Sequence, residues 1–162
     1  RWGFVPTLEL DDGTCISEAP CIFQYIEHLY PEPNLLGVNP IEVAEIGKWE
    51  RFCEMQGGQA VGEFFRNHAQ PLKNRGLPGF SDLAQIPELV ERGKKRADWF
   101  YNQIEKRLGE TNFIAGNRFT AADITALCVL DFGTRVGHPF PAGHKNIIKW
   151  YDKVSTREAI SS

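Results

Sequence analysis

The amino-acid sequence predicts an α+β chain, mostly α, in which a small β-β-α unit is followed by an all-α domain. Three observations carry this. Leu8 and Leu10 alternate with Thr7 and Glu9 ahead of Asp11-Asp12-Gly13, the period of a half-buried strand entering a hairpin turn. Four later segments, opening near Ile41, Pro87, Thr120 and Lys145, repeat apolar residues at three- and four-residue spacing. Between the two regimes, residues 31–40 are crowded with Pro, Gly and Asn, the composition of a linker.

A second strand, Thr14-Cys15-Ile16, leads into a helix for which Ser17 is the expected N-cap, because its hydroxyl accepts an orphan N–H of the first turn. Glu18 suits the positive end of the helix dipole, and Pro20 fits a first turn where its missing N–H is no loss. Ile22, Phe23, Ile26, Leu29 and Tyr30 define the face expected to be buried. Pro31 and Pro33 stop this helix. The reading divides the chain into residues 1–36, a linker and helix start over 37–45, and a helical domain over 46–162.

From Ile41 to about Ala69 runs one long helical pattern, with Ile46, Trp49, Cys53, Ala60 and Phe64 on a stripe and Val61 and Phe65 beside it. Gly57-Gly58 interrupts it at a cost of about 1 kcal/mol per Gly and marks either a kink or a close approach to a partner helix. Residues 70–85 form a long loop, and Pro87 opens a helix to about Leu108. Its charge run from Glu91 to Arg96 reads as a solvated face. Thr120 and Asp123 have capping-box spacing, with Phe119 and Ile124 as the staple, so a helix starts there and ends before Gly137. Lys145 to Val154 is the last helix, and a further turn capped by Ser155 or Thr156 is expected after it.

With 42% hydrophobic and 24% charged residues in 162, the composition is that of an ordinary globular chain. A net charge of −3 and a pI near 5.8 give no electrostatic case for a nucleic-acid or membrane partner. Cys15, Cys21, Cys53 and Cys128 form no C-x-x-C pair and are expected to be reduced thiols in a cytoplasmic protein. His28, His68, His138 and His144 show no metal-ligand spacing, so no metal is expected.

The stretch FVPTLELDDGTCISEAPCIFQYIE resembles the second half of the thioredoxin-like domain of the cytosolic glutathione transferases, in Val-Pro heading a strand, D-D-G-T closing a hairpin, and Ser-Glu before a helix. AGNRFTAADITA resembles the buried Ser/Thr-x-x-Asp helix start of that family's all-α C-terminal domain, where the Asp serves folding and not chemistry. The bacterial type is the nearest match. The resemblance implies glutathione as co-substrate, a cis peptide at Pro6, backbone pairing of Val5 with the cysteinyl part, and Glu18 with Ala19 at the γ-glutamyl end. Ala19 departs from the family's Ser, leaving only its backbone N–H for the α-carboxylate. Phe64, Phe65 and His68 are implied as a second-substrate pocket. The catalytic Tyr, Ser or Cys is expected upstream of Arg1, in a β-α-β part that this sequence lacks. The implied function is addition of the glutathione thiolate to a small electrophile or peroxide, in a homodimer with a role in detoxification. The alternative is a non-catalytic module of the same fold.

Overall fold

The computed structural model describes residues 5–157. Strands β1 (Thr7–Glu9) and β2 (Cys15–Ser17) pair antiparallel, with Thr7 opposite Ser17 and Glu9 opposite Cys15. Gly13 closes the turn at φ 83°, a backbone state in which a Cβ is disfavoured, and the Asp12 carboxylate accepts the Thr14 N–H at 2.8 Å.

Two expectations for the next element fail. Ser17 is not the N-cap: it ends β2, where its Oγ lies 3.3 Å from Thr7 Oγ1, and the cap position falls to Glu18, whose side chain makes no capping bond. Pairing with β1 claims the hydroxyl that a free helix end would have used. The expected buried face of α1 (Ala19–Leu29) is also mostly open, since only Ile22 is buried and Ile26, Leu29 and Tyr30 are exposed. A two-stranded sheet is too small to cover the helix. Phe23, Ile26 and Tyr30 instead border a cavity of about 240 Å³ shared with Leu35, Leu36, Ala121 and Ile124.

The long helical pattern forms as α2 (Pro40–Phe52), a π-helical turn (Cys53–Gly58) and α3 (Gln59–His68). Asn39 caps α2, its Oδ1 accepting the N–H groups of Ile41 and Glu42 at 3.1 and 3.0 Å. Of the two roles the sequence offered Gly57-Gly58, the structure shows the close approach. The pair ends the π turn, and a Cβ on Gly57 would stand 2.7 Å from the Phe100 ring and 2.8 Å from Val129. Three further helices follow, α4 (Pro87–Glu110), α5 (Ala121–Arg135) and α6 (Lys145–Ser155). The turn expected after α6 is partly pre-empted, because α6 runs on through Ser155, and residues 158–162 lie outside the described residues.

α3 packs on α4, α2 on α5, and α4 on α6. The core between them holds Ile46, Cys53, Val61, Phe100, Tyr101, Ile104, Leu130 and Ile147. The α3–α4 approach is closest at Gly93, where a Cβ would meet Phe64 N at 2.6 Å and Ala60 O at 2.8 Å. The capping box forms at Thr120 and Asp123. Asp123 is fully buried, and its carboxylate accepts the Ile114 and Thr120 N–H groups and the Trp150 Nε1–H, each at 2.9 Å, and the Thr120 hydroxyl at 3.2 Å. Burial pushes this carboxyl up while those four donors oppose the shift.

Residues 31–39 are held without regular structure of their own. Glu27 of α1 accepts the Leu35 N–H at 3.0 Å, the Leu36 N–H at 2.8 Å and Asn34 Nδ2 at 2.5 Å. Arg118, just before α5, donates to Glu42 Oε1 at 2.6 Å, to Asn34 Oδ1 at 2.7 Å and to the Asn34 carbonyl. Glu42 also accepts the Val38 N–H at 2.9 Å. One guanidinium thus ties the linker to the starts of α2 and α5, and it fixes the hairpin unit against the helices.

Four outcomes are expected. Asp123→Ala strands three buried N–H donors and is expected to cost about 3–5 kcal/mol in urea unfolding. Gly57→Ala is expected to cost about 1–3 kcal/mol by overpacking. Gly62→Ala, whose Cβ would meet nothing within 4 Å, is expected to gain about 0.5–1 kcal/mol in the same assay. The Arg118 hydrogen bond holds the Glu42 carboxyl below its ordinary value. A depressed folded pKa means that Glu42's contribution is present above the unfolded carboxylate range and is lost as pH falls through the folded value. Glu42→Gln is therefore expected to lower Tm at neutral pH, with the gap to the parent closing as acid titrates Glu42.

Candidate functional site

The hairpin register builds the first half of the site. Because Thr7 stands opposite Ser17, continuing the ladder by one residue brings Pro6 to the level of Glu18. Val5 and Pro6, joined by a cis peptide, and Glu18 and Ala19, at the helix start, therefore lie toward the same end of the hairpin although the turn separates them in sequence. Val5 is 92% exposed, and Glu18 is exposed as well, so both are open to a ligand.

Glu18 has φ 71° and ψ 119°, the only positive φ among the described non-glycine residues. Such a backbone state costs about 1–3 kcal/mol and persists where its surroundings over-determine it, most often at binding sites. Here the constraint is the abrupt passage from strand to helix. The first donors of α1 are then accounted for. Cys21 and Ile22 both donate to the Glu18 carbonyl, at 3.0 and 3.1 Å, and Pro20 has no N–H. The Ala19 N–H remains as the donor at the positive end of this helix, beside a carboxylate. An amino-acid head group, with its ammonium toward Glu18 and its carboxylate toward Ala19 N–H, matches that pair of charges.

The residues of the implied second pocket fall on two sides of α3. Phe64 is buried, with its ring 5.7 Å from His68 in a stacked pair and 5.8 Å from His138. Lys94 Nζ lies 5.3 Å from the same ring. Phe65 is half-buried and meets Phe132 edge-on at 5.5 Å, whereas His68 is exposed. Phe132 borders a shallow hollow of about 210 Å³ with Cys128, Asp131 and Arg135. The resemblance implied all three as one pocket, but Phe64 and Phe65 are consecutive in α3 and so point about 100° apart, one into the core and the other toward Phe132.

A larger cleft of about 510 Å³, not anticipated from the sequence, lies on the outer side of α3 and α4. Gly58 and Gly62 line it, with Leu77 and Pro78 from the loop and Arg92 and Arg96 from α4. Glu63 joins its two arginines, accepting from Arg92 Nε at 2.6 Å and Arg96 Nη1 at 2.8 Å. The run Glu91 to Arg96 carried the signal for this, since its arginines recur one helical turn apart. Their partner lay in another helix and was invisible from spacing within α4.

All four cysteines are free thiols, Cys53 buried and Cys21 and Cys128 exposed. Burial pushes the Cys53 thiol up, away from thiolate character. Among the described residues no group of three or more His, Cys, Asp or Glu is placed to hold a metal. No helix among them is long and apolar enough to cross a membrane.

Residues 63–158 match the family described as Glutathione S-transferase, C-terminal domain. Over 158 residues the chain is 32% identical to Glutathione S-transferase 2 of Saccharomyces cerevisiae, an overlap that takes in 98% of this chain and 66% of that protein. It superposes with TM-score 0.85 and 33% identity on a glutathione S-transferase domain-containing protein of Marinobacter aquaeolei VT8, covering 97% of this chain and 74% of that one. It is also 25% identical over 128 residues to Elongation factor 1-gamma of Rattus norvegicus, across 79% of this chain and 26% of that protein. The chain spans about two thirds, 66%, of the length of its yeast relative. The two-stranded hairpin with α1 is a partial thioredoxin-like unit, and the helices after it form the family's all-helical C-terminal domain. On these grounds the chain belongs to the glutathione S-transferase family.

Proposed function

We propose that the intact protein is a cytoplasmic glutathione transferase acting on a small electrophile, and that this chain supplies the γ-glutamyl and backbone-pairing parts of its glutathione site. One observation supports the reading most. The hairpin register puts cis Val5-Pro6 and Glu18-Ala19 toward the same end of the hairpin, within a fold shared with transferases, which supports this assignment.

In this reading the N–H and C=O of Val5 pair with the cysteinyl residue as a further strand would, which orients the sulfur. Glu18 holds the α-ammonium, and the Ala19 N–H receives the α-carboxylate. The thiol proton passes to solvent, the thiolate sulfur attacks the electrophilic carbon, a C–S bond forms, and the leaving group departs with its electron pair. Phe65 and Phe132 offer apolar and aromatic surface for the electrophile. Transferases of this kind work as homodimers in detoxification, and we extend both properties to this protein.

The likeness to Elongation factor 1-gamma, confined to 26% of that protein, supports a second reading as a non-catalytic module that uses the same fold for assembly. Turnover of glutathione with an aromatic halide by the intact protein separates the two. The transferase reading expects measurable turnover and a Kd for glutathione raised about tenfold or more by Glu18→Ala. Neither binding nor turnover in the parent leaves the module reading. A companion change sharpens the test. Glu18→Gly removes the positive-φ penalty and is expected to raise stability by about 1 kcal/mol while weakening glutathione binding as Glu18→Ala does.

A further inference from the structure

We propose that the hollow between the end of α4 and one side of α6 is a second ligand site, for a phosphorylated polyol of sugar-phosphate size. It shares no residue with the proposed glutathione site and stands apart from the transferase reading. The hollow holds about 310 Å³, and polar groups dominate its lining. That volume suits a compact ligand.

The α4 side supplies acceptors. The Thr111 N–H and hydroxyl both donate to the Arg107 carbonyl, and the backbone then runs on extended at Thr111, with φ −140° and ψ 158°. Asn112, the next residue, lacks the positive φ that folds a helix end back on itself. The carbonyls of Leu108, Gly109 and Glu110 therefore accept no hydrogen bond among the described residues. All three residues line the hollow, and Gly109 can offer it only backbone. A Cβ there would stand 3.1 Å from Asn146 Nδ2.

The α6 side supplies cations. Lys149 and Lys153 stand one turn apart and are both exposed. Lys153 Nζ sits 3.9 Å from the Phe113 ring centroid, and Lys149 has no ion-pair or hydrogen-bond partner among the described residues. The carboxamides of Asn112 and Asn117, in the turn between α4 and α5, are equally unpaired there. Cations near a helix C-terminus are favourable in themselves, which would account for the lysines if they capped α4. They do not cap it, because neither ammonium donates to any of the three carbonyls. Glu110 is the one carboxylate in the lining, and it pairs with neither lysine.

One ligand chemistry meets these groups together. A phosphate dianion satisfies two ammonium groups, and hydroxyls donate to free carbonyls while carboxamides both give and accept. Trp150 is buried with its Nε1–H committed to Asp123, so it offers the hollow only ring surface, which suits the C–H face of a sugar. A bare phosphate leaves the carbonyls facing an anion. A neutral sugar leaves the ammonium groups unmatched.

The test titrates the intact protein with glucose-6-phosphate, inorganic phosphate and glucose, followed by calorimetry and by the side-chain amide NMR signals of Asn112 and Asn117. Glucose-6-phosphate is expected to bind saturably with a Kd of about 1 mM or below, at least about tenfold tighter than phosphate or glucose, and to shift both amide signals. Lys149→Met and Lys153→Met are each expected to raise that Kd about fivefold or more. Both positions are exposed, so the variants fold as the parent does. Absence of saturable binding up to about 10 mM, an affinity no better than that of inorganic phosphate, or lysine variants that bind as the parent does overturns the proposal.

Discussion

Asp123 is the carboxylate on which the helical domain closes. It has no exposure to water, and an isolated charge in that position would cost many kcal/mol. It is tolerable because four donors converge on it, from three pieces of structure that must then be in place. The Thr120 N–H fixes the start of α5, the Ile114 N–H fixes the turn before it, and Trp150 fixes α6. Burying those donors without Asp123 is costly, and burying Asp123 without them is worse. The network therefore forms as a unit or not at all, which is why a folding role needs an acid here without any acid chemistry.

The hairpin unit depends on that closure through Arg118 and Leu35. The carbonyl of Leu35 accepts the Ala121 N–H, so the first turn of α5 is completed by the linker, and Arg118 clasps Asn34 and Glu42 beside it. A linker of Pro, Gly and Asn is flexible by composition. Here Glu27, Glu42 and Arg118 consume its backbone N–H groups and carbonyls.

What the sequence made legible follows from the range of the interactions involved. The helix starts at Asn39-Pro40, Pro87 and Thr120 are set by neighbours a few residues away, and the Asp-Gly turn is equally local. Ser17 was misread because its choice between capping α1 and pairing with Thr7 is decided across the hairpin. The face of α1 was misread because periodicity reports which side is apolar and says nothing about whether a partner is large enough to cover it. On the candidate site, Val5-Pro6 and Glu18-Ala19 were found through a resemblance, and the register then gave the reason they sit together. The positive φ of Glu18 and the bridge from Arg96 to Met55 had no sequence signal. One is a backbone state imposed by the strand-to-helix corner, and the other joins groups from separate helices.

The fold fixes its parts by two kinds of force that respond differently to conditions. Gly57 and Gly93 set helix separations by repulsion at contact, which neither salt nor pH relaxes. Arg96, Glu63 and Arg92, and Arg118 with Glu42, set rotations by partly exposed ion pairs, whose attraction weakens as ionic strength rises. Stability rests mainly on the apolar core, since exposed pairs contribute about 0–1 kcal/mol each. Added salt therefore weakens these ion pairs while leaving the packed core in place.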